Sequence, residues 1–447
     1  MSASGPWTTP LAPWNSRRGA STTSPRTGSP SSTLYERPRG RAGYDRSMTA
    51  SPDTNTEADD FALADEFALA TQTPLLPLLI ERIEAAGGRI TFAEFMAQAL
   101  GHPEHGYYSR AGLTWGRDGD YETSPEVHPI FGYLWARQVL ECWQRLGGPS
   151  SFALIEVGCG SGAFMRAILT WLRARAPHCF AAVRPVMLDG HPNRLADQRA
   201  HLTGAGFEAE HTLTADWLAR PERVTGVVIS NEFFDALPVH LVRRDGETFI
   251  ERYVTHEDGA LCLVDGPLST PAIEAYFARL GLPPGDGALA EVGLAASEAM
   301  RAIASKMERG YLLSIDYGYP ARDLYASWRR QGTLMAFRRH SPQPDPLAEP
   351  GRLDLTVHVD FTSLAAAAEG FEEAPLVSQA EALMALGLGE ALRAASRRAA
   401  VDAQRFAADR RAAEVLCEPE GLGRIRVLAL AKGAPLDGLR CLRPVLG

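Results

Sequence analysis

The 447-residue chain is defined first by what it lacks. No run of about 18 apolar residues occurs, so no membrane-spanning helix is predicted. The six cysteines (Cys142, Cys159, Cys179, Cys262, Cys417 and Cys441) contain no Cys-x-x-Cys pair. That argues against a zinc site or a disulfide framework and suits a reducing compartment. The eleven histidines are dispersed, and Pro103 between His102 and His105 favours a loop over a metal-binding pair. No metal is expected. The formal charge of -9 supplies no basic field, so no nucleic-acid partner is expected. Between residues 1 and 47 acids are scarce: only Glu36 and Asp45 stand among Ser, Thr, Pro and Arg. This superficially fits a transit peptide, but the repeated prolines oppose the amphipathic helix one needs. The simpler expectation is a disordered tail, or a start placed too early with Met48 as the alternative.

Order is expected from near residue 62. "PLLPLLIERIEAAGG" predicts a helix ending at Gly87-Gly88. Thr91 and Glu94 predict a capping box for the helix of "TFAEFMAQALG". A Gly-rich polar loop then leads to Pro129 and a helix carrying Phe131, Leu134, Trp135 and Leu140 at helical spacing. From residue 151 strands and helices alternate: "SFALIEVG", "RPVMLDG", "FEAEHT", "VTGVVISNE" and "GYLLSIDYG" are strand-like, and "RIRVLALAKG" is a last strand. This pattern predicts an α/β fold with a doubly wound parallel sheet. Asp245-Gly246 and Asp258-Gly259 predict β-hairpins in an inserted antiparallel lobe. The expected organisation is a tail over 1–60, a helical region over 61–150 and a main domain over 151–435. The main domain holds the insertion at about 241–290 and a substrate-side segment at about 320–390.

The strongest chemical signal is "IEVGCGSGAF". Gly158, Gly160 and Gly162 lie between a strand and a helix, where a ligand can approach the backbone and the helix N-terminus. The stretch also fits a dinucleotide fingerprint through Ala163. Glu156 decides between the two readings. A carboxylate there repels a pyrophosphate but attracts the sulfonium and ammonium of S-adenosyl-L-methionine. Asp189 closes the second strand and can accept both ribose hydroxyls. Asp216 is either an adenine contact or a surface acid, and Trp217 either covers the ring or belongs to the core.

Several ordered segments carry a family resemblance: "GYYSR", "GRDGDYETSPEVHPIFG", "SNEFFDALPVH", "SIDYGY", "GTLMAFRRH", "DPLAEPGRLDLTVHVDF" and "ALMALGLG". Over about residues 75–435 the chain resembles the MidA family of S-adenosyl-L-methionine-dependent methyltransferases. Cys159 and Ser161 stand where that family usually has proline and arginine. The resemblance implies a class I (Rossmann-like) methyltransferase fold, S-adenosyl-L-methionine as cofactor, and a protein substrate methylated on arginine. The mitochondrial member assists respiratory complex I assembly by methylating one of its subunits. That makes a complex I subunit an expected partner, in a bacterial cytoplasm or a mitochondrial matrix. The alternative is a catalytically weak assembly or interaction factor on the same fold.

An arginine acceptor calls for carboxylates, because a guanidinium is planar, cationic and suited to bidentate contacts. Glu232 and Asp235 are the expected catalytic acids, with Asn231 beside them. Asp235 could instead cap the following turn. In "GDYETSPEVHP" the resemblance places Asp120, Glu122, Thr123, Ser124 and Glu126 over the cofactor pocket, with Thr123 and Glu126 as the contacts. Glu126 could equally be a helix-start acid. Asp354, His358 and Asp360 alternate along an expected extended segment and would share a face, lining a substrate channel or forming a structural network.

Overall fold

The computed structural model describes residues 73–110, 123–398 and 402–444. The tail, Asp120 and Glu122 lie outside the described residues. Four strands come first in the main domain: β1 (Phe152–Val157), β2 (Val183–Asp189), β3 (Glu210–Leu213) and β4 (Val224–Asn231). The chain then leaves for a lobe of β5 (His240–Asp245), β6 (Thr248–Glu257), β7 (Ala260–Gly266) and β8 (Leu289–Val292). It returns as β9 (Met307–Asp316) and closes with β10 (Arg426–Lys432).

The main sheet runs in the order β3-β2-β1-β4-β9-β10. The first five strands are parallel, and β10 is antiparallel to β9. Strand order reverses between β1 and β4. Open α/β sheets bind ligands in the crevice at such a switch point, outside the C-terminal strand ends. Those ends carry Glu156 and the glycines on β1, and Asn231 and Glu232 on β4. Both faces of the sheet are covered, so β1 reads as a nearly unbroken apolar run with five of its six residues buried.

Helices follow the apolar spacing. In chain order the ones that matter here are α1 (Leu75–Ala85), α2 (Phe92–Gly101), α3 (Ser124–Val127), α4 (Ile130–Arg145), α5 (Ala163–Arg175), α6 (Pro192–Gly204) and α7 (Thr214–Ala219). Two more, α8 (Gln379–Ala385) and α9 (Ala403–Leu416), come late. On α4, Phe131, Leu134 and Trp135 are buried against α5, whose Phe164, Ile168 and Leu172 belong to the same core. Each such side chain contributes about 1.5–3 kcal/mol relative to exposure. Leu140 is only half-buried.

The lobe is an antiparallel sheet as its turns predict. Asp258 (φ 50°) and Gly259 (φ 82°) both take the left-handed region that a two-residue hairpin turn requires. Ile90–Thr91 joins this sheet by pairing with Tyr253 and Val254 of β6. The N-terminal helices therefore divide between two cores. Leu75 on α1 and Phe95 on α2 pack with Val254 of the lobe, whereas α4 packs under the main sheet. Thr91 Oγ1 accepts the Glu94 amide at 3.1 Å, but the Glu94 carboxylate pairs with Arg82. Only half of the expected capping box forms.

Of the two readings of Asp354, His358 and Asp360, the contacts support the structural network; strand pairing stops at Thr356 and resumes at Val359. Asp354 accepts the Tyr108 hydroxyl at 3.0 Å. The His358 ring lies 5.2 Å from that of Tyr319. Asp360 accepts the Tyr276 hydroxyl at 2.7 Å and caps the helix Phe361–Ala367 through the Thr362 and Ser363 amides.

Candidate active site

The glycine loop leaves β1 and enters α5 with Gly158, Gly160 and Gly162 at φ 71°, 51° and 83°. Side chains are strained in that region. At Gly158 a Cβ would lie 2.6 Å from Phe233 Cδ2, so the ring of the β4 turn packs directly on the loop. Glu156 is buried, and its Oε2 accepts the Met165 amide at 3.1 Å. Burial pushes its pKa up to about 8, against the lowering by that amide. Cys159 and Ser161 both serve the loop. The Cys159 thiol donates to Glu156 O at 3.1 Å. Ser161 Oγ accepts the Ala163 amide at 3.1 Å and donates to Glu126.

Asp189 ends β2 beside this loop. Its Oδ1 accepts the His191 amide at 3.1 Å and its Oδ2 accepts Gln198 Nε2 at 2.9 Å. Burial raises its pKa. Gln198 Nε2 also donates to Gly160 O at 3.1 Å, so α6 ties the acid to the loop. Asp189 is level with Leu213 of β3, which keeps Asp216, three residues on, near the same sheet edge. Asp216 is exposed in the first turn of α7. Trp217 is buried, with its ring centroid 5.6 Å from Lys306 Nζ, so of the pair Asp216 alone is open to solvent.

Residues 123–127 bridge the two strand ends. Thr123 sits at the N-cap of α3 without a side-chain cap bond, and its carbonyl accepts the Glu126 amide at 3.0 Å and the Val127 amide at 3.3 Å. The next residue reaches the acids: the Ser124 amide donates to Glu232 Oε1 at 3.2 Å. Glu126 accepts Ser161 on the cofactor side.

Four carboxyls gather beyond β4. Glu232 itself is at φ 50°, a left-handed conformation for a non-glycine residue. Such strain costs on the order of 1–2 kcal/mol and is typically retained at functional sites. Asn231 Nδ2 donates to Glu232 Oε1 at 2.8 Å. Asp316, at the end of β9, accepts the Phe233 and Phe234 amides at 3.1 and 2.8 Å. Asp235 is buried beside them, and its carbonyl accepts the Val357 amide at 3.0 Å, docking the Asp354 segment. Burial raises Glu232 to about 8 and Asp316 to about 7. Asp235 is raised well above its ordinary value by burial and then by Asp316, Glu232 and Asp354. Among the described residues, Glu232 Oε2, Asn231 Oδ1 and Gln198 Oε1 are buried without a hydrogen-bond partner. Buried polar atoms are rarely left so, and a ligand is one usual reason.

The structure therefore brings Asn231, Glu232 and Asp235 together, and links Glu126 to the glycine loop. Sequence reasoning missed Asp316, although it too is an acid closing an apolar strand. It also gave no separate role to Ser124 or Gln198.

A parallel sheet with this reversal, a glycine loop at the switch point and acids ending each neighbouring strand define a class I methyltransferase. A model of S-adenosyl-L-methionine-dependent methyltransferases matches residues 134–376. The chain belongs to that family. It is 33% identical over 300 residues to the Drosophila melanogaster protein arginine methyltransferase NDUFAF7 homolog, mitochondrial, covering 61% of this chain and 65% of that protein. Identity to the Homo sapiens mitochondrial protein arginine methyltransferase NDUFAF7 is 28% over 333 residues, covering 69% and 72%. A crystal structure of a Burkholderia thailandensis superfamily member bound to S-adenosyl-homocysteine superposes with a TM-score of 0.74 at 30% identity, covering 89% of this chain and 98% of that one. The chain thus spans about two thirds of the length of the first curated relative. The site fits the cofactor these findings imply. The loop has no side chains at its three glycines, Asp189 offers a carboxylate, and Gln198 Oε1 beside it has no partner among the described residues. No helix among the described residues is long and apolar enough to cross a membrane.

Proposed function

We propose that the chain transfers a methyl group to an arginine side chain of a partner protein. The observation that carries this reading is the charge of the acid cluster. Among the described residues, the charges that bear most on Glu232 and Asp235 are Asp316, Asp354 and each other, all acidic. Buried acids in such company hold their protons until a cation arrives. A guanidinium suits this cluster, because among the described residues Glu232 Oε2 has no hydrogen-bond partner and a carboxylate pair can meet its planar fork. Names of the relatives point to the same acceptor.

S-adenosyl-L-methionine supplies an electrophilic methyl group when bound at the glycine loop. Glu232 and Asp235 hold the guanidinium, orient one nitrogen towards that methyl group and accept the proton released on methylation. Asn231 and the Ser124 amide fix the Glu232 carboxyl, and Asp316 fixes the turn that presents it. Fixed alignment at close range is the main source of rate in such a transfer. A respiratory complex I subunit is the first partner to test, in a bacterial cytoplasm or a mitochondrial matrix, where the six free cysteines would stay reduced.

The test is transfer of isotope-labelled methyl from S-adenosyl-L-methionine into cell-lysate protein, with the labelled residue identified by mass spectrometry. Label on arginine supports the reading. Label confined to another residue type, or none at all, refutes it.

A further inference from the structure

One fully buried polar side chain serves neither the sheet nor the acid cluster directly. Gln379, the first residue of α8, has no exposed surface. Its Nε2 donates to Leu416 O at 3.0 Å, satisfying a carbonyl at the C-terminus of α9 that the helix cannot bond itself. Its Oε1 accepts the Ser124 hydroxyl at 3.0 Å. Ser124 is also fully buried, and its amide is the one that meets Glu232. Two residues on, Glu126 holds Ser161 of the glycine loop. One short turn thus touches the acid site with its first residue and the cofactor loop with its third. Gln379 holds that turn from behind, aided by the His128–Asp409 pair at 3.6 Å.

We infer that Gln379 is a positioning residue for methyl transfer: by holding Ser124 it sets the Glu232 carboxyl against the cofactor loop, so one buried amide aligns the two halves of the site. The inference rests on the reading of Glu232 as the carboxylate that meets the methyl acceptor.

A group that only filled the core would affect stability alone. A positioning group also affects how readily Glu232 ionises, because the Ser124 amide favours its charged form. The other groups bearing on Glu232 are Asn231 on β4, Asp235 in the same turn, Asp316 on β9 and Asp354 from the 354–356 strand, where Tyr108 bonds Asp354. Gln379 bonds Ser124 and Leu416, so a change at Gln379 reaches Glu232 through Ser124.

The experiment compares full-length Gln379→Met, Ser124→Ala and Ser124→Thr with the wild type. The ionisation midpoint of Glu232 is read, without substrate, as the difference in Tm against pH between each protein and its Glu232→Gln counterpart. The expected result is an upward move of roughly one pH unit for Gln379→Met and Ser124→Ala, equivalent to losing one charge-assisted bond. Ser124→Thr should return it to the wild-type position. An unchanged midpoint in Ser124→Ala overturns the inference, and that variant carries the test if Gln379→Met does not fold. Labelled methyl transfer by the Glu232→Gln protein is measured in parallel. Wild-type transfer there would overturn the reading of the acid site itself. Lost transfer with unmoved midpoints would overturn only the role of Gln379.

Discussion

Asp316 Oδ2 accepts the backbone amide of Phe234 at 2.8 Å. Through this bond the end of β9 fixes the turn that leaves β4. The Phe233 amide meets the same oxygen at 3.1 Å, and Asp316 Oδ1 takes the Tyr317 amide at 2.9 Å. The left-handed backbone of Glu232 is held from the neighbouring strand.

Asp316→Asn places an N–H donor among these amides. One buried amide then loses its acceptor, which costs about 1–3 kcal/mol. The turn should loosen, and methyl transfer should fall with stability. Urea denaturation checks the first effect and labelled transfer the second.

Glu232 has a pKa raised from the ordinary 4.5 to about 8, chiefly by burial. The folded state therefore binds a proton that the unfolded state releases between those values. Stability is full below the lower value and is lost as pH rises through the upper one. Glu232→Gln removes this contribution. Tm curves from pH 4.5 to 8 should fall more steeply for the wild type, with the variant gaining on the order of 4 kcal/mol by pH 8. Some slope should persist in the variant, because Asp316 is raised to about 7.

Gly158→Ala adds a Cβ only 2.6 Å from Phe233 Cδ2 at a residue with φ 71°. The backbone strain alone is about 1–2 kcal/mol. Either the loop or the ring must move, so S-adenosyl-homocysteine affinity should drop at least roughly tenfold by calorimetry.

Gln198→Ala frees Asp189 and Gly160 from α6 at once. Losing a charge-assisted bond of about 1.5 kcal/mol predicts roughly tenfold weaker S-adenosyl-homocysteine binding. Transfer at saturating cofactor should be little changed, since the acids beyond β4 are untouched.

Glu156, Asp189 and Glu232 were legible as acids closing apolar strands, because a carboxyl there is costly without a reason. Asp316 carried the same signal in "SID". Its role became visible only once β9 lay beside β4, a non-local pairing. The inserted lobe was legible from Asp245-Gly246 and Asp258-Gly259, although the first turn is made by Gly246 and Glu247 because Asp245 still pairs with Thr248. Ser124 gave no signal of its own, because its role depends on its amide meeting Glu232, 108 residues away. Gln379 gave no local signal, since its partners are 37 and 255 residues away. The alternation of Asp354, His358 and Asp360 left a channel and a structural network open, and the choice depended on Tyr108 and Tyr276, which bond Asp354 and Asp360 from far away in the sequence.

The central claim is that Glu232 meets the methyl acceptor. Its most direct test is labelled methyl transfer by Glu232→Gln, with S-adenosyl-homocysteine affinity measured on the same protein. Transfer should fall at least roughly a hundredfold, with cofactor affinity within about a factor of three of wild type. Transfer at the wild-type rate with cofactor bound would contradict it.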